Sequence, residues 1–135
     1  MSSLDSIIAN GSSSIEDLSK LANALKLPVH NIASIWDYKR FAPNSNNIIL
    51  LTPDKKINNG HWVGLKVGSK GKPSYYFDSY GQPPPRLIAD NVPNLQYNTK
   101  QIQALNHSHC GIYVLDFLKN GTKMLKDYTT INIYH

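Results

Sequence analysis

Three residues with side chains suited to nucleophilic catalysis are spread along the chain: His61, Asp78 and Cys110. Cys110 is the only cysteine, and it stands before Gly111 at the point where a polar run becomes an apolar, helix-like one. A thiol at the N-terminus of a buried helix lies near unpaired backbone N–H groups, which lower its pKa below the free value of about 8.5. A histidine oriented by a carboxylate could take the proton of this thiol, which is the chemistry of acyl transfer through cysteine.

The approach of His61 to Asp78 depends on a β-hairpin predicted over residues 61–78. The segments HWVGLKV and SYYFD have strand-like patterns, and GSKGKP lies between them with turn-forming residues. A four-residue loop at 68–71 would place Asp78 directly opposite His61, and a six-residue loop would place it diagonally on the same face. In both cases the Cβ atoms lie roughly 5–8 Å apart. An odd loop length would separate the two side chains.

Acyl transfer also needs donors for the developing oxyanion. The side-chain amide of Gln103 could supply one, and the backbone N–H of Cys110 another. Gly111 would let a substrate backbone approach the thiol closely, because it has no side chain.

His107 and His109 raise a competing metal hypothesis, since imidazole and thiolate are zinc ligands. No fourth ligand stands at a recognisable spacing, and there is no second cysteine. We therefore expect both histidines to be ordinary loop residues rather than metal ligands. The sequence itself predicts no required metal or cofactor.

The elements that must position these residues begin with a helix after GSSS. Ser13 and Glu16 have the spacing of a capping box. Five apolar residues follow at helical intervals, and Pro28 is expected to end the helix: Ile15, Leu18, Leu21, Ala22 and Leu25. The segment VHNIASIWDY is predicted to hold a second short helix.

A change of period from residue 47 predicts strands. NIILLT (47–52) is a short apolar run with β-branched residues, and NLQYNT (94–99) is a weaker candidate. The prolines of GQPPPRL exclude a central strand there. CGIYVLDFLKNG predicts a helix that is apolar on most sides and closed by Asn120 and Gly121. Helices around an antiparallel sheet make the predicted class α+β.

Length and composition predict one domain over residues 1–135. Hydrophobic residues make up 41% of the chain and charged residues 17%. No apolar run reaches the roughly 20 residues of a membrane span, and the N-terminus lacks the pattern of a secretory signal. We therefore expect a protein that does not contact membranes and is not secreted. A single cysteine excludes an intrachain disulfide and favours a reducing compartment.

The net charge of +5 is concentrated in one segment. Residues 39–72 hold seven bases and one acid. Such a segment could attract nucleic acid by counterion release. The alternative is that its lysines are solvated turn residues, which is the commoner case.

Taken together, GHW, YYFDSYG and QALNHSHCGIYVLDF resemble the adenovirus-type maturation protease, adenain, and more distantly the proteases of ubiquitin-like modifiers. The resemblance covers residues 59–118. It implies a cysteine-protease fold in which a central helix carries the nucleophile on a mainly antiparallel sheet, flanked by further helices. Within this fold, residues 1–40 would form a helical N-terminal part and residues 47–118 a catalytic core.

The resemblance implies Cys110 as nucleophile, His61 as general base and Asp78 as the group that orients it. Gln103 would be the oxyanion donor, since Gln101 stands at the wrong interval from the cysteine. Trp62 and Gly111 would contact the substrate. The implied substrates are viral precursor proteins such as capsid or core components, which are cleaved during maturation of the virion. We expect the enzyme to be a monomer. We expect it in the virus particle and in the cytoplasm or viral factory of the infected cell.

The chain also departs from adenain. Asp78 stands where adenain has glutamate, as in the modifier proteases. Adenain is activated by DNA and by a viral peptide that can be disulfide-linked to a second cysteine. That covalent mode is excluded here, whereas activation by DNA through residues 39–72, or by a peptide held without a disulfide, stays open. Two alternatives to precursor processing are a protease for ubiquitin-like modifiers and an inactive, basic nucleic-acid-binding or scaffold module.

Overall fold

A computed structural model describes residues 14–53, 60–99, 101, 110–120 and 131–134, with the backbone alone for the last range. Its strands form one six-stranded sheet in the order β1-β2-β3-β4-β5-β6. They are β1 (Asn31–Ser34), β2 (Ser45–Leu51), β3 (His61–Val67), β4 (Ser74–Phe77), β5 (Leu95–Asn98) and β6 (Ile131–Tyr134). The pairs β1–β2 and β4–β5 are parallel and the other three are antiparallel. The fold class is therefore α+β with a mainly antiparallel sheet.

Helices lie on both faces of this sheet. The described helices are α1 (Ile15–Ala24), α2 (Arg86–Asn91) and α3 (Cys110–Asn120), and a 3-10 turn covers Ile35–Asp37. None of these helices has the length and apolarity needed to cross a bilayer. The predicted helix over CGIYVLDFLKN is confirmed, whereas α2 and β6 were not predicted.

A capping box begins α1, one residue later than predicted. The Ser14 hydroxyl accepts from the Asp17 N–H at 3.1 Å, and the Asp17 carboxylate accepts from the Ser14 N–H at 3.2 Å. The prediction of a box between Ser13 and Glu16 is therefore wrong, because GSSSIED offers the same hydroxyl-to-acid spacing in two registers.

The buried face of α1 is narrower than its apolar pattern indicated. Leu18, Leu21 and Ala22 are buried, but Ile15 and Leu25 stay exposed at its two ends. The helix stops at Ala24, before the proline that was expected to end it.

The second short helix predicted over residues 29–38 is a strand for four of its ten residues. Residues Asn31–Ser34 form β1, and only the 3-10 turn after it is helical. Because β1 pairs in parallel with β2 (Asn31 opposite Asn47), its conformation is set by a partner about 16 residues away rather than by local propensity. The part predicted to be helical, residues 1–40, therefore also contains a strand among its described residues, 14–40.

The hairpin β3–β4 has the longer of the two predicted loops. Gly64 pairs with Phe77 and Leu65 with Tyr76, so residues 68–73 form a six-residue connection. This register places Asp78, just beyond β4, diagonally across from His61 on one face of the sheet.

Two apolar clusters cover the two faces of the sheet. One lies under α1 and α3 and includes Trp62, Phe77, Cys110, Val114 and Phe117. The other lies under α2 and includes Ile49, Val63, Leu65, Tyr76 and Ile88.

Close packing of α3 on β3 depends on Gly64. A Cβ atom at this position would lie 3.0 Å from Val114 Cγ1 and 3.3 Å from Phe117 Cδ2. The absence of a side chain therefore lets the helix lie directly on the strand.

Candidate active site

Cys110 is the first residue of α3, and its side chain is almost fully buried. The backbone N–H of Trp62, on the adjoining strand β3, donates to Cys110 Sγ at 3.4 Å. The contact joins residues 48 positions apart, so it depends on the close packing of α3 on β3. The N-terminus of α3 and the Trp62 N–H both place positive charge density at the sulfur.

His61 and Asp78 form the second part of the site. His61 Nε2 lies 2.5 Å from Asp78 Oδ1. The Asp78 side chain is 3% exposed and that of His61 is 18% exposed. A short contact between a nearly buried carboxylate and an imidazole fixes the orientation of the ring, and it directs the other ring nitrogen away from the carboxylate.

Asn98, in the short strand β5, holds Asp78 in place. The Asp78 N–H donates to Asn98 Oδ1 at 2.9 Å, and Asn98 Nδ2 donates to the Asp78 carbonyl oxygen at 2.5 Å. Asn98 is fully buried. Sequence reasoning missed this residue, although an asparagine on the buried side of a strand candidate is a signal that a polar partner stands nearby.

Tyr80 contacts both members of the histidine–aspartate pair. Its backbone N–H donates to Asp78 Oδ1 at 2.8 Å, and its ring is stacked on that of His61 with centroids 4.2 Å apart and 13° between the planes. A turn closes this arrangement, because the Gly81 N–H donates to the Asp78 carbonyl oxygen at 2.8 Å and Gly81 adopts a φ of 74°. Sequence reasoning did not single out Tyr80.

The electrostatics of the site favour a charged pair. Burial disfavours the charged form of His61, but the Asp78 carboxylate and the Cys110 sulfur outweigh it and raise the pKa of His61 to about 9. Burial likewise acts to raise the pKa of Cys110, but His61 and the Trp62 N–H outweigh it and lower that pKa below its ordinary value. These opposite shifts favour a thiolate beside an imidazolium.

The geometry leaves one nitrogen of His61 for the thiol. Nδ1 is buried and forms no hydrogen bond of ordinary geometry with any described residue. The Cys110 sulfur still lies close enough to the ring for each group to shift the pKa of the other. Because Nε2 contacts Asp78, Nδ1 is the ring nitrogen that is left to exchange a proton with the thiol.

The structure thus brings together three of the predicted site residues, His61, Asp78 and Cys110. Trp62 is 5% exposed, with its side chain in the cluster under α1 and α3, and Gly111 is buried in the first turn of α3. Their contact with substrate stays a prediction. Gln103 lies outside the described residues, as do His107 and His109.

No protein-family model matches the chain, and no curated protein matches it. The chemistry of this site is therefore argued from its own geometry. A buried thiol with a lowered pKa, beside a histidine whose second nitrogen contacts a carboxylate, can act as a nucleophile toward a carbonyl carbon.

Proposed function

We propose that the protein is a cysteine endopeptidase that hydrolyses peptide bonds through an acyl-enzyme. The observation that supports this most is the 2.5 Å contact of His61 with the buried Asp78, in a site where the same histidine lowers the pKa of Cys110. A cysteine that only filled space would need no such partner.

In the first half of the proposed reaction, Cys110 Sγ attacks the scissile carbonyl carbon, and the π electrons of the carbonyl move onto its oxygen. The C–N bond then breaks as His61 gives its proton to the leaving amine, which leaves a thioester on Cys110. Asp78 keeps its negative charge and stabilises the protonated ring throughout.

In the second half, His61 takes a proton from a water molecule that attacks the thioester carbonyl. The C–S bond breaks, the peptide leaves as a carboxylic acid, and Cys110 returns as a thiolate beside protonated His61. The backbone N–H of Cys110 at the start of α3 is one donor for the oxyanion. Gln103 is the predicted second donor.

The resemblance to adenain extends this proposal to the fold family and the biological task. We propose an adenain-like protease fold and cleavage of viral capsid or core precursors during virion maturation, in the particle or the infected cell. DNA or a viral peptide could activate the enzyme, with DNA bound through residues 39–72. The uneven charge of the chain supports the DNA part of this proposal.

The test is the pH dependence of Cys110 alkylation by iodoacetamide, followed as a single adduct by mass spectrometry. With one cysteine in the chain, every thiol adduct reports Cys110. We expect half-maximal reactivity at a lower pH than an ordinary thiol shows, and a shift to higher pH in His61→Ala, because His61 lowers the pKa of Cys110. Peptide cleavage should disappear in Cys110→Ala, because the nucleophile is gone.

The alkylation experiment, combined with a DNA-binding assay and a modifier-cleavage assay, distinguishes the competing functions. An ordinary thiol titration that His61→Ala does not change, together with salt-dependent DNA binding that survives Cys110→Ala, would identify a binding module. A reactive thiolate that cleaves only diglycine-terminated modifiers would identify a modifier protease.

A further inference from the structure

Two described side chains of the candidate site, those of His61 and Tyr80, have surface that a substrate can contact. Both residues are partly exposed. The other described side chains of the site are buried: Trp62, Asp78, Asn98 and Cys110. The role of His61 follows from the proposed reaction, but that reaction gives no role to the hydroxyl group of Tyr80. A partly exposed phenol in such a site can donate a hydrogen bond to a substrate.

The position of the Tyr80 ring is fixed by its backbone and by its neighbour. The backbone N–H donates to Asp78 Oδ1 at 2.8 Å, and the hydrogen bond from the Gly81 N–H to the Asp78 carbonyl oxygen closes the turn. The ring is stacked on that of His61, with centroids 4.2 Å apart. Because a tyrosine side chain has few rotatable bonds, a hydroxyl group held in this way loses little conformational entropy when it binds a ligand.

The hydroxyl group of Tyr80 lies within the electrostatic field of the thiol. Burial raises the pKa of Tyr80, and the Cys110 sulfur and then the Asp78 carboxylate raise it further. The sulfur has the larger effect of the two, although the backbone of Tyr80 is bonded to the carboxylate. This order indicates that the hydroxyl group is directed toward the Cys110 side of the His61 ring. Because its pKa is raised, the hydroxyl group keeps its proton and can donate it in a hydrogen bond.

The leaving amine of the substrate must come to the same part of the site. In the proposed reaction, His61 protonates the nitrogen of the bond that breaks, through the ring nitrogen that does not contact Asp78. The substrate residue that follows the cleaved bond is therefore held beside the imidazole. The carbonyl oxygen of that residue is the next acceptor along the substrate chain, and it lies next to the ring that is stacked on His61.

We propose that the Tyr80 hydroxyl group donates a hydrogen bond to the backbone carbonyl oxygen of the substrate residue that follows the cleaved bond. The proposal rests on the proposed function, since it assigns a substrate contact in the same reaction. The contact favours a peptide as the leaving group over an amine that lacks this carbonyl. It therefore favours peptide bonds over isopeptide bonds, because the lysine side chain that leaves from an isopeptide has no carbonyl next to its nitrogen.

The test measures how an acyl-enzyme divides between two amines. Acetyl-L-alanine para-nitrophenyl ester acylates Cys110 and releases nitrophenolate. An added amine then attacks the thioester carbonyl, His61 takes a proton from the amine nitrogen, the C–S bond breaks, and an amide forms as the thiolate returns. This step is the reverse of cleavage, so it uses the same contacts on the amine side. The competing amines are L-alaninamide and isopropylamine, in which a methyl group replaces the carboxamide. Both amides are measured by chromatography, with Cys110→Ala as the background.

Tyr80→Phe removes the hydroxyl group and keeps the stacked ring. We expect it to lower the ratio of the alaninamide product to the isopropylamine product about three- to tenfold, which is the effect of losing one hydrogen bond. Alkylation by iodoacetamide should not change, because that reaction displaces iodide and involves no leaving amine. The matched control is Tyr75→Phe, since Tyr75 is also partly exposed but packs against the cluster under α1 and α3. It should keep the wild-type ratio.

The outcomes separate this proposal from the proposed function. A product ratio that Tyr80→Phe leaves unchanged, in an enzyme whose Cys110 is acylated, would overturn the hydroxyl contact alone. An equal loss of both amides would also overturn it, because the hydroxyl group would then act on the thiolate or on His61 rather than on the carbonyl. Release of nitrophenolate that does not differ between the wild type and Cys110→Ala would overturn both proposals.

Discussion

Replacing Asp78 by asparagine should change the protonation of His61 more than any other single substitution in the site. The variant keeps the size of the side chain and one oxygen for the Tyr80 N–H, but it removes the negative charge next to Nε2. Burial of the ring disfavours its charged form, and the variant lacks the carboxylate that mainly counteracts this effect. We expect the pKa of His61 to fall from about 9 to about 6.5 or lower.

The size of the effect on folding follows from linkage. The interval between 6.5 and about 9, at roughly 1.4 kcal/mol per pH unit, corresponds to at most about 3–4 kcal/mol of stabilisation. The Cys110 sulfur supplies part of it, so we expect Asp78→Asn to lose about 2 kcal/mol near pH 6. A group whose pKa is raised in the folded state stabilises the fold fully below its unfolded value of 6.5. That stabilisation is lost as the pH rises through about 9, so the variant and the wild type should converge there.

Two measurements check this expectation: urea denaturation from about pH 6 to about pH 10, and an NMR titration of the His61 ring. The matched control is Asp90→Asn, since Asp90 forms an exposed pair with Arg86 at 3.7 Å. It should change the free energy of unfolding by less than about 0.5 kcal/mol at every pH. A His61 titration near 9 in both proteins, or a difference in stability that does not vary with pH, would refute the reasoning.

Three further substitutions test the surroundings of the site. Tyr80→Leu removes the ring stacked on His61 and should slow alkylation of Cys110 by iodoacetamide about three- to tenfold. Tyr80→Phe keeps the ring and should not slow it. Equal losses in the two variants would contradict a role for the ring. Asn98→Leu leaves the backbone N–H and carbonyl of Asp78 buried without their partner. It should lower the free energy of unfolding, measured in urea, by about 2–4 kcal/mol. A loss below about 1 kcal/mol would count against the role of Asn98. Gly64→Ala inserts a methyl group 3.0 Å from Val114 Cγ1. It should lower the free energy of unfolding by about 1–3 kcal/mol and slow alkylation of Cys110. An unchanged thermal midpoint would argue against close packing of α3 on β3.

The positions of His61 and Asp78 relative to each other were predictable because a hairpin is a local structure. Both strands have the expected limits within one residue. Loops of four or six residues both left the pair on one face, and the observed loop has six; an odd length, which was also open, would have separated the pair. The helix at Cys110 was predictable for a similar reason, since its apolar run is long and ends in a recognisable signal.

The supporting residues could not be predicted in the same way. Asn98 reaches Asp78 only because β5 pairs in parallel with β4 after the crossover through α2, and neither event is encoded locally. Strand β1 was mistaken for a helix for the same physical reason, since four residues with mixed propensity take the conformation of the strand beside them.

The site is assembled from two layers that could separate. Cys110 belongs to the cluster under α1 and α3, whereas His61 and Asp78 are held by the hairpin and by β5. A local opening of α3 would withdraw the Cys110 thiol without breaking the histidine–aspartate pair or unfolding the sheet. The enhanced reactivity of the single thiol therefore reports whether α3 is packed on the sheet. This reactivity should be lost at lower urea concentrations than the overall secondary structure.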